Sequence, residues 1–492
     1  MVASYSGLLT AICALAGSAA AVTPLKVQGK DFVNSKTGDR FQILGVDYQP
    51  GGSSGFSKDS DPLSNGDICM RDAALMQRLG VNTIRVYNLE PSLDHNKCAS
   101  IFNAAGIYMI LDVNSPLTNG YLDRTAPWTT YTNAYYKQVF GVVEAFKTFD
   151  NVLGFFAGNE VINEDATRLA PAYVRAVIRD MKDYIAKQAD RAIPVGYSAA
   201  DVRDILMDTS NYFECDMKNS TSSRADFFGL NSYSWCGDAS YKSSGYDVLT
   251  QDFSNASLPV FFSEYGCNAV KPRIFTEVQA LYGEEMTQAF SGGLVYEWTQ
   301  EENEFGLVKI ENDGSVETLV DYDNLQKQFN KLDISRISAS NDTQTSVTPP
   351  TCDPSLITNS TFYNAWNLPE APSKVSDYIK NGLPNKPVGS LVPVTGGKIS
   401  QKVVDHNGNE IKNVELKVLA NDAVNTPSAL NADTSSNSSS TSSATGSASG
   451  TNTASSASGT ATKTNAASLL NGFPAVTLGG LSGFFMLLAS LL

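Results

Sequence analysis

Glu160 and Glu264 each close an apolar run, VLGFFAGNE at 152–160 and PVFFSE at 259–264. A strand buried along its length delivers its last side chains to a cleft, so two acids so placed can be brought face to face. Facing carboxylates are the minimum set for breaking a glycosidic bond: one protonates the leaving oxygen, the other attacks carbon or activates water. A lone Glu at a strand end is ordinarily solvated or one arm of a salt bridge, but the neighbours of these two narrow the reading. Asn159 directly precedes Glu160, where an amide can bond the hydroxyl beside the reacting carbon. Tyr265 and Gly266 follow Glu264, and Tyr296, Glu297 and Trp298 end a further apolar run, GGLVYEW.

Eight short apolar or β-branched runs precede residue 300: FQILGVDYQ, TIRVYN, YMILDVN, LGFFAGNE, PVGYSAA, FFGLNSYSW, VFFSEYG and GGLVYEW. Segments of helical periodicity separate most of them, the clearest from Ala170 to Ala189, with Val174, Val177, Met181, Tyr184 and Ile185 on one face. Helices are also expected over Ile68 to Leu79, Tyr135 to Phe149 and Ile274 to Phe290. Eight strand and helix alternations predict an α/β fold, a (β/α)8 TIM barrel. The rival, a doubly wound open sheet, lacks its Gly-rich first turn here. Glu160 then ends the fourth strand and Glu264 the seventh, at the barrel face where catalytic groups gather. Polar and aromatic residues collect at the same ends: Tyr48 and Gln49, Arg85 and Tyr87, Asp112 and Asn114, Asp201, Tyr233 and Trp235. Aromatic faces stack on pyranose rings while amides and carboxylates bond their hydroxyls, so a saccharide cleft needs both.

The 492-residue chain carries most of its periodic apolar content before about residue 330, and a net charge of −15 that opposes binding to nucleic acid. With two histidines, His95 and His406, and no Walker A loop or GxGxxG, neither a metal nor a cofactor is expected. Residues 1–21 read as a secretory signal ending at Ala19-Ala20-Ala21. Its removal takes Cys13 and leaves Cys69, Cys98, Cys215, Cys236, Cys267 and Cys352, an even count that suggests disulfides. Sequons for N-glycosylation stand at Asn219, Asn255, Asn341, Asn359 and Asn437. The catalytic barrel is placed at 22–330 and a small extension at 331–422, in which KISQKVVDH and NVELKVLAN flank a turn at 406–409. A disordered Ser/Thr-rich stalk at 423–465 follows. The apolar, uncharged stretch at 475–492 behind Asn465, Ala466 and Ala467 has the layout of a GPI-attachment signal. On this reading Asn465 is the attachment site, 466–492 is removed, and the protein sits on the outer leaflet or in the wall; a membrane-spanning tail is the alternative.

ILGVDYQPGG, TIRVYN, GNE at 158–160, GYSAAD, FFGLNSYSWCG, FFSEYGCN and LVYEW, in this order over roughly residues 23–330, resemble the fungal GPI-anchored β-1,3-glucanosyltransferases of glycoside hydrolase family 72. Beyond Cys267 there is only Cys352, so the chain resembles the class without a cysteine-rich carbohydrate-binding module. The resemblance implies that Glu160 is the general acid/base and Glu264 the nucleophile of a retaining double displacement, with carboxyls about 5–5.5 Å apart. It implies that Gln49, Tyr87, Asp112, Asn159 and Tyr296 hold donor glucan, and that Asn114 and Tyr121 are further substrate-binding residues. Tyr233 positions the nucleophile, Arg85 keeps it ionised, and Asp201 and Arg203 lie toward the acceptor. It further implies disulfides Cys69–Cys98, Cys236–Cys267 and Cys215–Cys352. The expected activity is elongation, in which an internal β-1,3 linkage is cut and the new reducing end is joined to another chain in cell-wall assembly. A retaining endo-β-1,3-glucanase and a catalytically silent glucan-binding protein are the alternatives.

Overall fold

The computed structural model describes residues 22–218, 220–337 and 347–427. The signal, the stalk, Asn465 and the sequons at Asn219, Asn341 and Asn437 lie outside the described residues. Eight parallel strands close into a barrel: β1 (Ile43–Tyr48), β2 (Thr83–Val86), β3 (Tyr108–Asp112), β4 (Val152–Asn159), β5 (Val195–Ala200), β6 (Phe228–Asn231), β7 (Val260–Tyr265) and β8 (Gly292–Val295). Each coincides with one of the eight apolar runs. A helix follows each strand in turn: α1 (Gly66–Leu79), α2 (Asn96–Ala104), α3 (Asn133–Phe146, preceded by a single turn at Pro127–Thr130), α4 (Ala170–Gln188), α5 (Arg203–Glu214), α6 (Tyr246–Asp252), α7 (Glu277–Leu281) and α8 (Val320–Phe329). Local chemistry sets their ends. The Asn65 side chain caps α1 by accepting from the Asp67 and Ile68 N–H groups, and Gly80 closes it at φ 92°. The helix expected over Ile274 to Phe290 is the exception, breaking into α7 and a 3-10 turn at Met286–Gln288. Gly283 sits between the two pieces, where a glycine disfavours helix by about 1 kcal/mol. The apolar periodicity survives because Val278, Leu281, Met286 and Phe290 are still buried.

An antiparallel sheet, Leu25–Gln28, Asp31–Asn34 and Arg40–Phe41, precedes β1. Its Phe32 ring lies 5.9 Å from both Phe227 and Phe261, and Phe156 lies 5.2 Å from Phe227, so aromatic rings fill the interior below the catalytic face. The barrel is thus a packed core, open to chemistry only at its C-terminal rim.

The extension after the barrel is a belt. It passes the helices in reverse order, held mostly by backbone groups. The Asp208 carboxylate of α5 accepts from the Thr358 and Asn359 N–H groups at 2.8 Å, and Gln188 of α4 donates to the Ile379 carbonyl at 2.9 Å. Asn96 of α2 accepts from Ser390 N–H at 2.7 Å, and Gln77 of α1 exchanges two bonds with the backbone of Lys417. The two segments expected to be strands pair with each other at one end only, where Lys398 lies opposite Glu415 and Ile399 N–H donates to the Val414 carbonyl at 3.1 Å. Val403–Asp405 extends a sheet alongside Val316–Thr318, and Glu415–Leu416 pairs with Gly397–Lys398. The turn between them is real, with Gly408 at φ 80° and the Asp405 carboxylate accepting from Asn407 and Asn409 N–H. The packed chain continues beyond residue 422, since Asn425 is buried and its amide donates to the Val81 carbonyl at 2.8 Å. Of the described sequons, Asn255 is exposed, and Asn359 is half-buried with its amide nitrogen on the Asp204 carbonyl.

Three disulfides are present with the implied partners, Cys69–Cys98, Cys215–Cys352 and Cys236–Cys267. Cys215–Cys352 anchors the start of the belt across 137 residues of sequence. Replacing both of these cysteines by Ala is expected to cost about 2–5 kcal/mol, because the bridge closes a long loop in the unfolded chain. Denaturant unfolding of the variant reads this loss, and an unchanged midpoint contradicts it.

Candidate active site

Successive side chains of a strand point to opposite faces, yet Asn159 and Glu160 of the β4 end both take part in one polar cluster, as do Ser263 and Glu264 of β7. The register explains both cases. Pairing of β4 with β5 shifts between Phe156 and Asn159, and pairing of β7 with β6 shifts between Phe262 and Glu264. Such irregularities re-aim side chains at functional rims. Glu160 also takes a left-handed backbone conformation, φ 46°, with its N–H on the Ser198 carbonyl.

Glu264 receives three hydrogen bonds. Arg85 Nη1 donates to Oε1 at 3.2 Å, Tyr87 OH to Oε1 at 2.9 Å and Tyr233 OH to Oε2 at 2.7 Å. Glu160 receives one, from Asn231 Nδ2 at 2.8 Å. Asn231 also donates to Asn159 Oδ1 at 3.1 Å, and its own oxygen accepts from Ser263 and Ser198, so it ties both acid-bearing strands to β6. Arg85 is wholly buried and grips Asp112 through Nε at 2.9 Å and Nη2 at 3.2 Å. It also donates to Asn159 Oδ1 at 2.9 Å, and its guanidinium lies 4.4 Å from the Tyr87 ring centre. Burial works against the Arg85 charge, but Asp112, Tyr87 and Glu264 outweigh it and hold the guanidinium charged.

Burial raises the Glu264 carboxyl to about 7, with Arg85 opposing, the Glu160 charge adding, and the two tyrosine hydroxyls opposing again. Three donors including the Arg85 cation stabilise the Glu264 anion against that burial. Beside them Glu297 is buried, bonded by Asn303 Nδ2 at 2.9 Å, and pushed up to about 9 by burial and by Glu301. Its folded value exceeds the ordinary 4.5, so its contribution to stability is complete below 4.5 and lost as pH rises through about 9. Thermal midpoints are expected to fall across that window, and Glu297→Gln to flatten the slope; an equally steep slope in the variant contradicts this.

The other expected residues divide. Tyr87 and Tyr233 bond Glu264 directly, and Asp112 is spent on Arg85. Tyr296 stands edge-on to Tyr233 with centroids 6.3 Å apart. Gln49 is buried with an amide nitrogen that has no partner, and lines a cavity of about 70 Å³ with Pro50, Gly52, Phe56 and Asn65. Asp201 pairs with Arg203 and accepts from Ser232 OH at 2.7 Å, so the two expected acceptor-side residues form one unit. Asn114 is already bonded within the protein. Its amide nitrogen donates to the Ala157 carbonyl of β4 at 3.0 Å and its oxygen accepts from Tyr135 OH of α3 at 2.8 Å. Tyr121 is 45% exposed on the loop after β3 and makes none of the hydrogen bonds of the cluster. Trp235 turns into the core, its indole N–H on Thr276 at 3.0 Å. The sequence reading missed Asn231 and Asp47. Asn231 lies inside the run FFGLNSYSW, where its strand-end position was the available signal. Asp47 sits one residue before the Tyr48-Gln49 pair that drew attention.

A closed parallel barrel that gathers two carboxyls, a guanidinium and tyrosine hydroxyls at the C-terminal ends of its strands has the make-up of a glycoside-processing (β/α)8 enzyme. The model of the glucanosyltransferase family matches residues 14–333, and the chain belongs to that family. Among its relatives, 1,3-beta-glucanosyltransferase gel2 of Aspergillus fumigatus is 67% identical over 429 residues, 87% of this chain and 90% of the relative. The 1,3-beta-glucanosyltransferase GAS4 of Saccharomyces cerevisiae is 47% identical over 334 residues, 68% of this chain and 71% of the relative. A solved structure of a mutant of Saccharomyces cerevisiae Gas2p in complex with laminaritetraose and laminaripentaose superposes with a TM-score of 0.63 at 36% identity, covering 72% of this chain and 76% of that one.

Proposed function

We propose that the chain elongates β-1,3-glucan by a retaining double displacement, with Glu264 as nucleophile and Glu160 as general acid/base. The observation that carries the assignment is the asymmetry of donors, three on Glu264 and one neutral amide on Glu160. The Glu160 proton passes to the glycosidic oxygen as the bond from that oxygen to the anomeric carbon breaks and a Glu264 ester forms. An acceptor hydroxyl then attacks the anomeric carbon, its proton returns to Glu160, and the ester bond breaks. The Asn159 amide nitrogen and the unpartnered Gln49 amide hold donor hydroxyls, and the Asp201–Arg203 unit faces the acceptor. The names of the relatives and the laminari-oligosaccharides of the Gas2p complex support the substrate class.

Both transfer and hydrolysis pass through the same ester, so product sizing decides between them. Incubation with reduced β-1,3-gluco-oligosaccharides is expected to yield products longer than the donor. Shortened products alone would indicate an endo-glucanase, and an unchanged donor a silent binding protein. The small residues at 465–467 and the apolar stretch at 475–492 support a GPI anchor at Asn465 on the cell surface. A chain truncated after Thr464 is expected to appear in the medium as active enzyme; its retention on membranes counts against the anchor.

A further inference from the structure

Asp47 faces Arg85 across the β1–β2 register and is fully buried, yet neither of its carboxyl oxygens makes a hydrogen bond. The donors around it are already used. The five N–H groups of Arg85 go to Asp112 twice, and once each to Asn159, the Ser263 carbonyl and Glu264. The Tyr87 hydroxyl, the side chain placed to exchange a hydrogen bond with Asp47, donates to Glu264. The charged and titratable groups that face Asp47 are Arg85 from β2, Tyr87 just beyond it, Asp112 from β3, Tyr233 beyond β6, Glu264 from β7 and Tyr296 beyond β8. One cation therefore meets three buried carboxyls, and the geometry satisfies two of them as anions. A buried carboxylate with no donor is far more costly than a protonated one.

We propose that Asp47 is a positioning residue, a carboxylic acid that keeps its proton through the reaction and donates it to the Tyr87 oxygen, leaving the Arg85 charge to Glu264 and Asp112. Protonated, Asp47 has the donor that the cluster otherwise lacks, and the Tyr87 oxygen has a free lone pair because its own proton points to Glu264. Burial, joined by the charges of Glu264 and Asp112 against that of Arg85, raises the Asp47 carboxyl well above the usual range. The inference rests on the retaining reading in that Glu264 must be the anion being served.

Asp47→Leu and Asp47→Asn, compared with wild type by total donor cleavage across pH, test it. Cleavage registers whether water or glucan is the acceptor, so the result does not depend on transfer. Asp47→Leu is expected to lower kcat about tenfold, the worth of one lost hydrogen bond, and Asp47→Asn, whose amide still donates, to recover most of the loss. The acid limb of Asp47→Asn, set by ionisation of Glu264, is expected to coincide with that of wild type. Were Asp47 ionised, removing its charge would ease the ionisation of Glu264 and move that limb down by about one unit. Such a displacement overturns the proposal, as does wild-type kcat in a folded Asp47→Leu. The wild-type minus Asp47→Asn infrared difference spectrum at neutral pH needs no turnover, so it separates failure of this proposal from failure of the activity. It is expected to show the carbonyl stretch of a protonated carboxylic acid, and a carboxylate band in its place overturns the assignment.

Discussion

Glu264→Gln is expected to abolish the glycosyl-enzyme, while Glu160→Gln still forms it from a donor whose leaving group needs no proton. In the first variant the attacking oxygen is gone, and Tyr87, Tyr233 and Arg85 converge on an amide that cannot accept all three donors. In the second, the Asn231 bond to the side-chain oxygen persists, so the site keeps its shape and loses only the proton donor. A general acid contributes roughly a hundred- to ten-thousand-fold, so both variants should be nearly inactive on glucan. A glycosyl fluoride separates them: mass spectrometry should find the adduct on Glu160→Gln and none on Glu264→Gln. An adduct on Glu264→Gln, or inverted product from wild type, would reverse the roles.

Arg85→Met is expected to cost both fold and activity. The side chain is wholly buried and is the cation that balances Asp112 and Glu264. Removing one partner of a buried ionic group typically destabilises by about 3–5 kcal/mol, because the remaining charge stays behind unpaired. The sign with pH follows. Without the guanidinium both carboxyls are raised further, so the loss is largest at alkaline pH and shrinks as acid protonates them. Denaturant unfolding at several pH values reads this, and a loss that is the same at every pH would contradict it. Arg85→Lys should recover part of the stability but little of the rate. A single ammonium cannot reproduce the fork that joins Asp112, Asn159 and Glu264.

Much of this was legible in the chain itself. Each barrel strand is a run of apolar and β-branched residues, each is followed by a helix, and the two acids end the fourth and seventh runs. Those are local patterns, set by burial and by the period of the element. The cysteine partners followed from family resemblance, and the structure has the same three bridges. The facing of the site was not legible. Strict alternation cannot place both Asn159 and Glu160, or both Ser263 and Glu264, in one cleft, and a one-residue register shift leaves no mark in composition. Nor does a residue type reveal which of its hydrogen-bonding groups are already taken. Asn114 and Gln49 both read as sugar ligands, but Asn114 already bonds Tyr135 and the Ala157 carbonyl, while the amide nitrogen of Gln49 is unpartnered. Asp47 is the sharpest case, because its state depends on how Arg85 divides five N–H groups among partners brought in from β3, β4 and β7. The sequence alone determined which chemistry-bearing groups reach the rim of the barrel. Only the tertiary structure decided which of them remain available to a substrate, since hydrogen-bonding capacity is shared among residues far apart in the chain and can be counted only once they are brought together.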